Sequence, residues 1–591
     1  MEENEAFQKR VGGLRVFVGF LFVVLVARVW YLQILQGEKY HTLSRRNSIR
    51  TLNVPAPRGI IEDRNGRVMA DNVSSYQLCV LPATRGQKEK EALADSVSRL
   101  LDLPREKVLS KLEGRDIPPH SPIILKPDLS LVEIQKVEEN LLCRQNVFVR
   151  KVSTRHYPYG AVAAHVLGYV GEVSAEKVAE AGGKQHYAGQ IIGIGGVEEA
   201  LEQFLVGQQG VEELQVDAAG RLVELLAKKY ETAGAKVILT VDLGLQEAAE
   251  GALGSRTGCA ILLDPRSGEI LALVSSPGFD SEKMSRGLSA AEWNRLSKDP
   301  RHPFLNRAFM TRYPPGSVFK IVTLFAALEE GLASANTSVV CNGTYQVGNR
   351  TFRCWNRSGH GLVNTQRAVA ESCDVFFYGL GEKLGIERLL KAVKLLGLDG
   401  TTGIDLPREM PSISPGPAWK KEHFGTAWYT GDTINAAIGQ GFINTTPLGL
   451  AVATAAVANG GQAVTPHVVK KIEGVSRSPV PPPLEVKKTR SLPAKASTWA
   501  IIRAGMRAAV AWPTGTAKAA DIPSVAVAGK TGSAQTQSGA TSHAWFVCFA
   551  PYDKPEVVCV VLVEQGGAGG ETAAPIARQI LQSYFSRRQA R

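Results

Sequence analysis

Tyr313-Pro-Pro-Gly-Ser317-Val-Phe-Lys320-Ile-Val-Thr-Leu-Phe-Ala-Ala-Leu-Glu-Glu330-Gly331 is the stretch on which the fold turns. Pro314, Pro315 and Gly316 cannot prolong a preceding helix, and the apolar run from Phe319 reads as a buried helix that Gly331 stops. A helix beginning at Ser317 sets Ser317 and Lys320 on one face, a turn apart. A hydroxyl at that position lies beside unpaired N–H groups and the positive dipole end, which favour a developing oxyanion. Serine is a weak nucleophile until a base sits next to it. Lys320 serves if burial and a cationic neighbour such as Lys530 lower its pKa.

Two further motifs follow in order, Ser372-Cys-Asp374 and Lys530-Thr-Gly532. The first adds a hydroxyl able to pass protons. The second is a cationic strand edge able to hold a carboxylate. Singly each is weak: Ser174-Ala-Glu-Lys177 also fits S-x-x-K, and there the serine reads as a helix cap. The order and the local context make the set specific. Val525-Ala-Val-Ala528 precedes Lys530, and His543–Phe549 and Val557–Val563 follow as apolar runs, giving three consecutive antiparallel strands with Lys530 to Ser533 on the first.

A chain of 591 residues exceeds one ordinary core, so two or more domains are expected. Its formal charge of +12 is dispersed, with no zinc-finger spacing and no interleaved stacking aromatics, which argues against nucleic acid. An exterior facing anionic lipid or cell-wall polymer suits it better. Leu14 to Leu35 is the membrane candidate, about 33 Å long as a helix. Trp30 and Tyr31 suit an interface, and Arg28 suits snorkelling or a membrane partner. No small-x-small cleavage pattern follows, so the segment reads as an uncleaved anchor behind a cytoplasmic tail of residues 1–13.

After the anchor, Arg58 to Ala70 reads as strand, Asn-Gly turn, strand. Up to about Leu225, short strands alternate with charged helices. Ile192-Gly-Ile-Gly-Gly196 lacks the spacing of a nucleotide site and reads as a loop. A new domain starts near Lys236–Asp242, followed by a hairpin over Cys259–Val274. Ser478-Pro-Val-Pro-Pro-Pro483 reads as a stiff surface excursion. There are no internal repeats.

With these residues in hand the chain resembles the class B penicillin-binding proteins, most like their rod-elongation branch, penicillin-binding protein 2. The resemblance rests on the three motifs and on Arg58-Gly-Ile-Ile-Glu-Asp-Arg64-Asn-Gly66, Arg155-His-Tyr-Pro-Tyr-Gly160, His165-Val-Leu-Gly-Tyr169, Gly207-Gln-Gln-Gly210, Gly439-Gln-Gly441, Thr446-Pro447 and His543-Ala-Trp-Phe546. It implies an α+β architecture: one transmembrane helix (14–35), an elongated α/β pedestal (45–230), and a β-lactamase-like transpeptidase domain of helices packed on an antiparallel sheet (236–588). It implies a D-alanyl-D-alanine transpeptidase and carboxypeptidase, inhibited by β-lactams and held on the outer, periplasmic face of the cytoplasmic membrane. Ser317 would attack the penultimate D-alanine carbonyl of a peptidoglycan stem, with Lys320 as base and Ser372 as proton relay. Lys530, Thr531, Gly532 and Ser533 would form the substrate strand. Asp374 stands where asparagine is common elsewhere, which puts its contact to the substrate amide in doubt. Expected partners are stem peptides, a RodA-type membrane glycosyltransferase and elongation-complex proteins.

Other functions fit less well. A β-lactamase needs a deacylating Glu-x-x-x-Asn after the second motif, absent here, and a bifunctional class A protein needs Glu-Asp-x-x-Phe. A septal or sporulation transpeptidase is the runner-up, and a role chiefly as activator of a RodA-type polymerase is compatible. Catalysis calls for no cofactor. Of eight cysteines, Cys79, Cys143, Cys259, Cys548 and Cys559 lie in apolar runs and read as core. Cys341, Cys354, His360 and Cys373 cluster as C-x12-C-x5-H-x12-C. Cys341 and Cys354 flank a hairpin turning at Gly348-Asn349, so they suit a disulfide. With His360 and Cys373 they equally suit a structural Cys₃His zinc site. Cys373, next to Ser372, tips the reading toward metal, because a tether there would fix the relay serine.

Overall fold

Strands whose successive residues are all apolar must be covered on both faces. The computed structural model, which describes residues 2–40, 49–80, 87–113, 122–140, 147–173, 190–216, 222–474, 489–535 and 541–589, builds its central sheet from such strands. Gly258–Leu263 and Ile270–Ser276 form the expected hairpin, and the sheet continues through Val557–Val563, His543–Ala550 and Ala528–Ala534, antiparallel throughout. Ile261, Leu273, Trp545, Val547 and Phe549 enter one core with the helices Lys320–Glu329, Asp374–Leu395 and Pro447–Ala458. Their alternates Ala260, Leu262, Val274, Phe546 and Cys548 enter a second core with Leu243–Leu253 and Ala573–Gln589. The strand bearing Lys530 is the sheet's edge, so one side of its backbone is not used by the sheet.

The chain forms two compact units. The larger comprises Arg58–Val73, Arg155–Val206 and Gly234–Arg591. Within it Arg58 and Arg155 converge on buried Glu198, at 2.8 Å from Arg58 Nη2 and 2.6 Å from Arg155 Nε, and Tyr157 donates to the same carboxylate. Burial alone would raise the Glu198 pKa, but the Arg155 and Arg58 charges hold it below the usual carboxylate value. Gly59 is obligatory beside this cluster, because a Cβ there would lie 1.8 Å from the Ala235 carbonyl oxygen. The Ile192–Gly196 stretch, expected as a loop, is a strand instead. Ile191–Ile194 pairs with Tyr169–Glu172, and Gly195 and Gly196 then turn at φ 71° and 53°. Its glycines serve close approach: a Cβ on Gly193 would meet the Glu198 carbonyl oxygen at 2.0 Å.

The smaller unit comprises Met1–Pro57, Ser74–Thr154 and Gly207–Ala233. It holds an antiparallel sheet of Ile49–Val54, Gly210–Val216 and Leu222–Lys229. A second core gathers Leu78, Val80, Leu93, Val97, Val108, Leu125 and Val137. Its N-terminal helix runs Glu2–Trp30 and continues as a wider turn over Tyr31–Leu35. The segment Phe7–Leu35 has 29 residues of mean hydropathy 2.1 and none of it is buried in the protein. At about 1.5 Å per residue it exceeds a hydrocarbon core of about 30 Å. The Arg28 guanidinium lies 5.5 Å from the Tyr31 ring centroid. Cys143, Ser174–Lys177 and Ser478–Pro483 lie outside the described residues.

Candidate active site

The turn before Ser317 is pinned from several sides. Tyr313 and Thr445 exchange backbone hydrogen bonds at 2.9 Å, and Gly316 N donates to Gly439 O at 2.9 Å. The Tyr313 hydroxyl donates to Glu564 Oε1 at 2.6 Å, which Arg307 Nε also reaches at 2.8 Å. Trp545 Nε1 donates to Pro314 O. Gly316, at φ +56°, then opens a single tight turn, Gly316–Phe319, before the α-helix Lys320–Glu329. The serine therefore sits one turn ahead of the α-helix and not within it. Among the described residues Ser317 Oγ makes no hydrogen bond, and the side chain is half-buried.

Lys320 is fully buried and its three donors are all used. Nζ reaches Asp374 Oδ1 at 2.6 Å, Ser372 O at 2.8 Å and Ser372 Oγ at 3.2 Å. From the opposite side Lys530 Nζ donates to Ser372 Oγ at 2.8 Å and to Thr531 O at 2.9 Å. Both hydroxyl lone pairs of Ser372 thus accept from lysines, which leaves its O–H directed elsewhere. Burial, and then the charge of Lys320, push Lys530 well below the ordinary lysine value, while Asp374 pulls it part of the way back.

Ser372 occupies a turn between the helices Thr365–Ala370 and Asp374–Leu395, at φ +57°. Its carbonyl accepts from Lys320 Nζ and, at 3.1 Å, from Trp355 Nε1. Asp374 is spoken for: Oδ1 takes Lys320 and Oδ2 takes the Trp355 backbone N–H at 2.8 Å. Its side chain is 10% exposed, so it holds the lysine and the hairpin more than it faces the cleft. Trp355 was missed in the sequence, and its one signal is that it directly follows Cys354. Glu564, Arg307 and Tyr313 were missed as well.

On the edge strand, Thr531 Oγ1 donates to Thr516 Oγ1 at 2.8 Å, and Gly569 N donates to Ser533 Oγ at 3.3 Å. Gly532 lets the strand close on the nucleophile turn, since a Cβ would lie 3.1 Å from Pro315 O and from Val318 Cγ1. Gly316 makes the matching approach, with a Cβ at 2.9 Å from Ser533 O.

Beside Ser372, the ligand atoms of Cys341, Cys354, His360 and Cys373 all lie within 4.8 Å of one another, and all four residues are buried. His360 Nδ1 is 3.6 Å from the sulfurs of both Cys341 and Cys354. The cysteines are free thiols. A hydrogen bond from Cys373 holds the Cys354 thiol below its ordinary value, and the same bond, with burial, pushes Cys373 upward. The hairpin between Cys341 and Cys354 pairs Thr344–Val347 with Arg350–Arg353 around Gly348-Asn349.

Residues 258–582 match the family described as the penicillin binding protein transpeptidase domain, and residues 53–239 match the penicillin-binding protein dimerisation domain. The peptidoglycan D,D-transpeptidase MrdA of Haemophilus influenzae is 33% identical over 99% of this chain and 93% of that protein. The chain is a class B penicillin-binding protein. Among solved structures, the complex between penicillin-binding protein PBP2 and MreC from Helicobacter pylori superposes with TM-score 0.81 at 28% identity, covering 91% of this chain and 99% of that one. A peptidoglycan synthase complex that coordinates polymerization and crosslinking contains a chain that superposes with TM-score 0.72 at 31% identity, with 98% of each chain covered. These neighbours place this penicillin-binding protein in the PBP2-like group, and with its N-terminal apolar helix it is membrane-anchored.

Proposed function

We propose that this penicillin-binding protein is a peptidoglycan D,D-transpeptidase of cell-wall elongation, acting through an acyl-enzyme on Ser317. The observation that carries the reading is the position of Ser372 Oγ, 3.2 Å from Lys320 Nζ and 2.8 Å from Lys530 Nζ. Ser317 Oγ attacks the penultimate D-alanine carbonyl and gives its proton to Lys320. The tetrahedral oxyanion lies between the backbone N–H groups of Ser317 and Ser533, each worth about 3 kcal/mol in such sites. Ser372, linked to both lysines, passes a proton to the departing D-alanine nitrogen. An amine of a neighbouring stem then attacks the ester, loses its proton back along the same chain of groups, and releases Ser317. Lys530, Thr531 and Ser533 hold the terminal carboxylate of the donor. A β-lactam enters the same site as a donor mimic.

As the base, Lys320 must be unprotonated when Ser317 attacks. Among the described residues Lys530 makes no ion pair, it is pushed downward, and Ser372 Oγ joins the two amines. Of the two amines, Lys530 is the one that burial and the Lys320 charge hold toward the neutral form. Ser317→Ala should abolish covalent labelling by fluorescent penicillin while the protein stays folded, and Lys320→Ala should nearly do so. Stoichiometric labelling of the Ser317→Ala protein would sink the assignment.

The Cys341, Cys354, His360 and Cys373 set fits a structural zinc ion: four borderline-soft donors, mutually within 4.8 Å, buried and in a thiol-rich composition. Zinc there would supply a crosslink and no chemistry. The residues it would tie are the hairpin strands and the turn that presents Ser372. The bulk of the chain belongs outside the cytoplasmic membrane, where stem peptides are. By likeness to the PBP2–MreC complex its partners include an MreC-type elongation protein, and the class B resemblance adds a RodA-type glycan polymerase.

A further inference from the structure

Five aromatic rings gather in residues 419–442, a segment whose Gly439 touches the nucleophile turn, and the acyl-transfer chemistry uses none of them. The helix Pro417–Phe424 ends at Gly425, in the left-handed conformation at φ 66°, and a short loop leads to the helix Thr430–Ala437. Phe442 is the hub, with ring centroids 5.5 Å from Trp419, 5.4 Å from Phe424 and 5.9 Å from Trp428. The cluster is braced from beneath. Lys420, itself buried, bonds Asp432 Oδ2 at 2.6 Å and lies under the rings of Tyr429 and Phe442 at 4.8 and 5.8 Å. Trp428 Nε1 donates to Thr433 Oγ1 at 2.8 Å.

Such bracing normally accompanies burial, yet Phe424 is 56% and Tyr429 62% exposed. Fixed rings left in water beside a substrate cleft mark a contact surface. The rim is polar, with Lys421, Glu422, His423 and Thr426 all exposed. Acyl lipid or an apolar protein face would leave those groups unpaired. A ligand with flat apolar faces and hydroxyl or amide edges satisfies rings and rim together.

Position identifies the ligand. Gly439, two residues beyond the helix Thr430–Ala437, accepts the Gly316 N–H at 2.9 Å, next to Ser317. That eight-residue helix is about 12 Å long, which bounds how far Tyr429, at its start, can stand from the nucleophile turn. Four stem residues in extended form span about 13 Å from the scissile carbonyl to the sugar that carries them. We infer that Phe424, Tyr429 and Phe442 form a platform for the N-acetylated amino-sugar rings of the donor glycan, seated while its stem peptide reaches Ser317. This rests on the transpeptidase reading and adds to it a recognition of saccharide.

Two measurements on the full-length protein in detergent micelles decide it. The first compares D-alanine release from a disaccharide-linked pentapeptide with release from the free pentapeptide. The wild type should favour the sugar-linked donor at least fivefold in kcat/KM, and the ratio should fall toward one in Phe424→Ala/Tyr429→Ala. Phe424→Leu/Tyr429→Leu keeps apolar volume without flat rings and should lose the preference equally, whereas Phe424→Tyr should keep it. Penicillin labelling serves as the folding control. The second follows binding of a soluble β-1,4-linked N-acetylglucosamine oligomer by ligand-observed NMR, which needs no catalysis. Saturation transfer to the sugar should be seen with wild type and be lost in both double variants. A wild type without preference, or double variants that keep both preference and binding, would overturn the platform. Absence of D-alanine release from either donor would count against the transpeptidase reading instead, and oligomer binding would still decide the platform.

Discussion

Asp374→Asn separates the two roles open to this residue, contact with substrate and counter-charge to the lysines. The substitution keeps the side-chain shape and removes one charge. Asparagine has one acceptor oxygen where the native carboxylate serves two donors, Lys320 Nζ at 2.6 Å and the Trp355 N–H at 2.8 Å. Breaking a buried ion pair from one side costs about 3–5 kcal/mol. Ser372 O and Oγ still accept from Lys320, so we expect the lower end, about 3 kcal/mol. The electrostatic consequence has a definite sign. Asp374 is the charge that raises Lys530 against burial and against Lys320. Without it Lys530 falls further. The lysine pair then holds its proton less tightly, and the acid limb of the penicillin acylation rate against pH moves to lower pH. The plateau falls as well, because Lys320 is aimed less well. The assay is the second-order rate of fluorescent-penicillin acylation across neutral pH, beside denaturant unfolding of the same protein. An acid limb that stays in place or moves to higher pH would refute the counter-charge role. A changed KM for stem peptide with an unmoved limb would return Asp374 to substrate contact.

Purified protein should carry about one zinc per chain by metal analysis. Cys373→Ser should lower that content and slow penicillin acylation, whereas no zinc and a mass deficit of two hydrogens across Cys341 and Cys354 would establish a disulfide instead. Lys530→Met tests the buried amine through stability. Because Lys530 is lowered from 10.5 by burial, the unfolded chain binds more protons in the window between its folded value and 10.5, so wild-type stability rises with pH there and is lost as pH falls through the folded value. The methionine variant should lack that rise in its denaturant midpoint, and an equal slope in both proteins would count against it.

What the sequence made legible was local. The continuous apolar runs Val557–Val563 and His543–Ala550 are strands because nothing else of that length buries both faces, and their adjacency in sequence gave their adjacency in the sheet. Gly348-Asn349 gave its hairpin by turn chemistry. The gathering of Lys320, Ser372 and Lys530 could be anticipated from motif order, because each motif carries its own helix or strand signal. Glycines misled where they serve packing and not turning. Ile192–Gly196 looks like a loop, yet its first residues are a strand whose bare Cα positions admit a neighbouring backbone. Long-range polar pairing left no pattern to read: Glu564 lies 251 residues from Tyr313, and no spacing connects them.

The least legible feature bears most on mechanism. Ser372 is held at φ +57°, a conformation that costs a non-glycine residue about 1–2 kcal/mol. It persists because its carbonyl is fixed from two sides, by Lys320 Nζ at 2.8 Å and Trp355 Nε1 at 3.1 Å. Trp355 is itself placed by its neighbour Cys354, whose sulfur approaches His360, and by Asp374 through the backbone N–H. The strained turn that aims the relay hydroxyl between two lysines is therefore maintained by the Cys341–His360 hairpin. Loosening that hairpin should relax Ser372 toward ordinary backbone geometry and carry Oγ away from the lysines, although no hairpin residue touches the reacting atoms. Zinc at the four donors would then act on rate through conformation alone, so metal removal should lower acylation without moving the acid limb, whereas Asp374→Asn lowers the plateau and moves the limb as well.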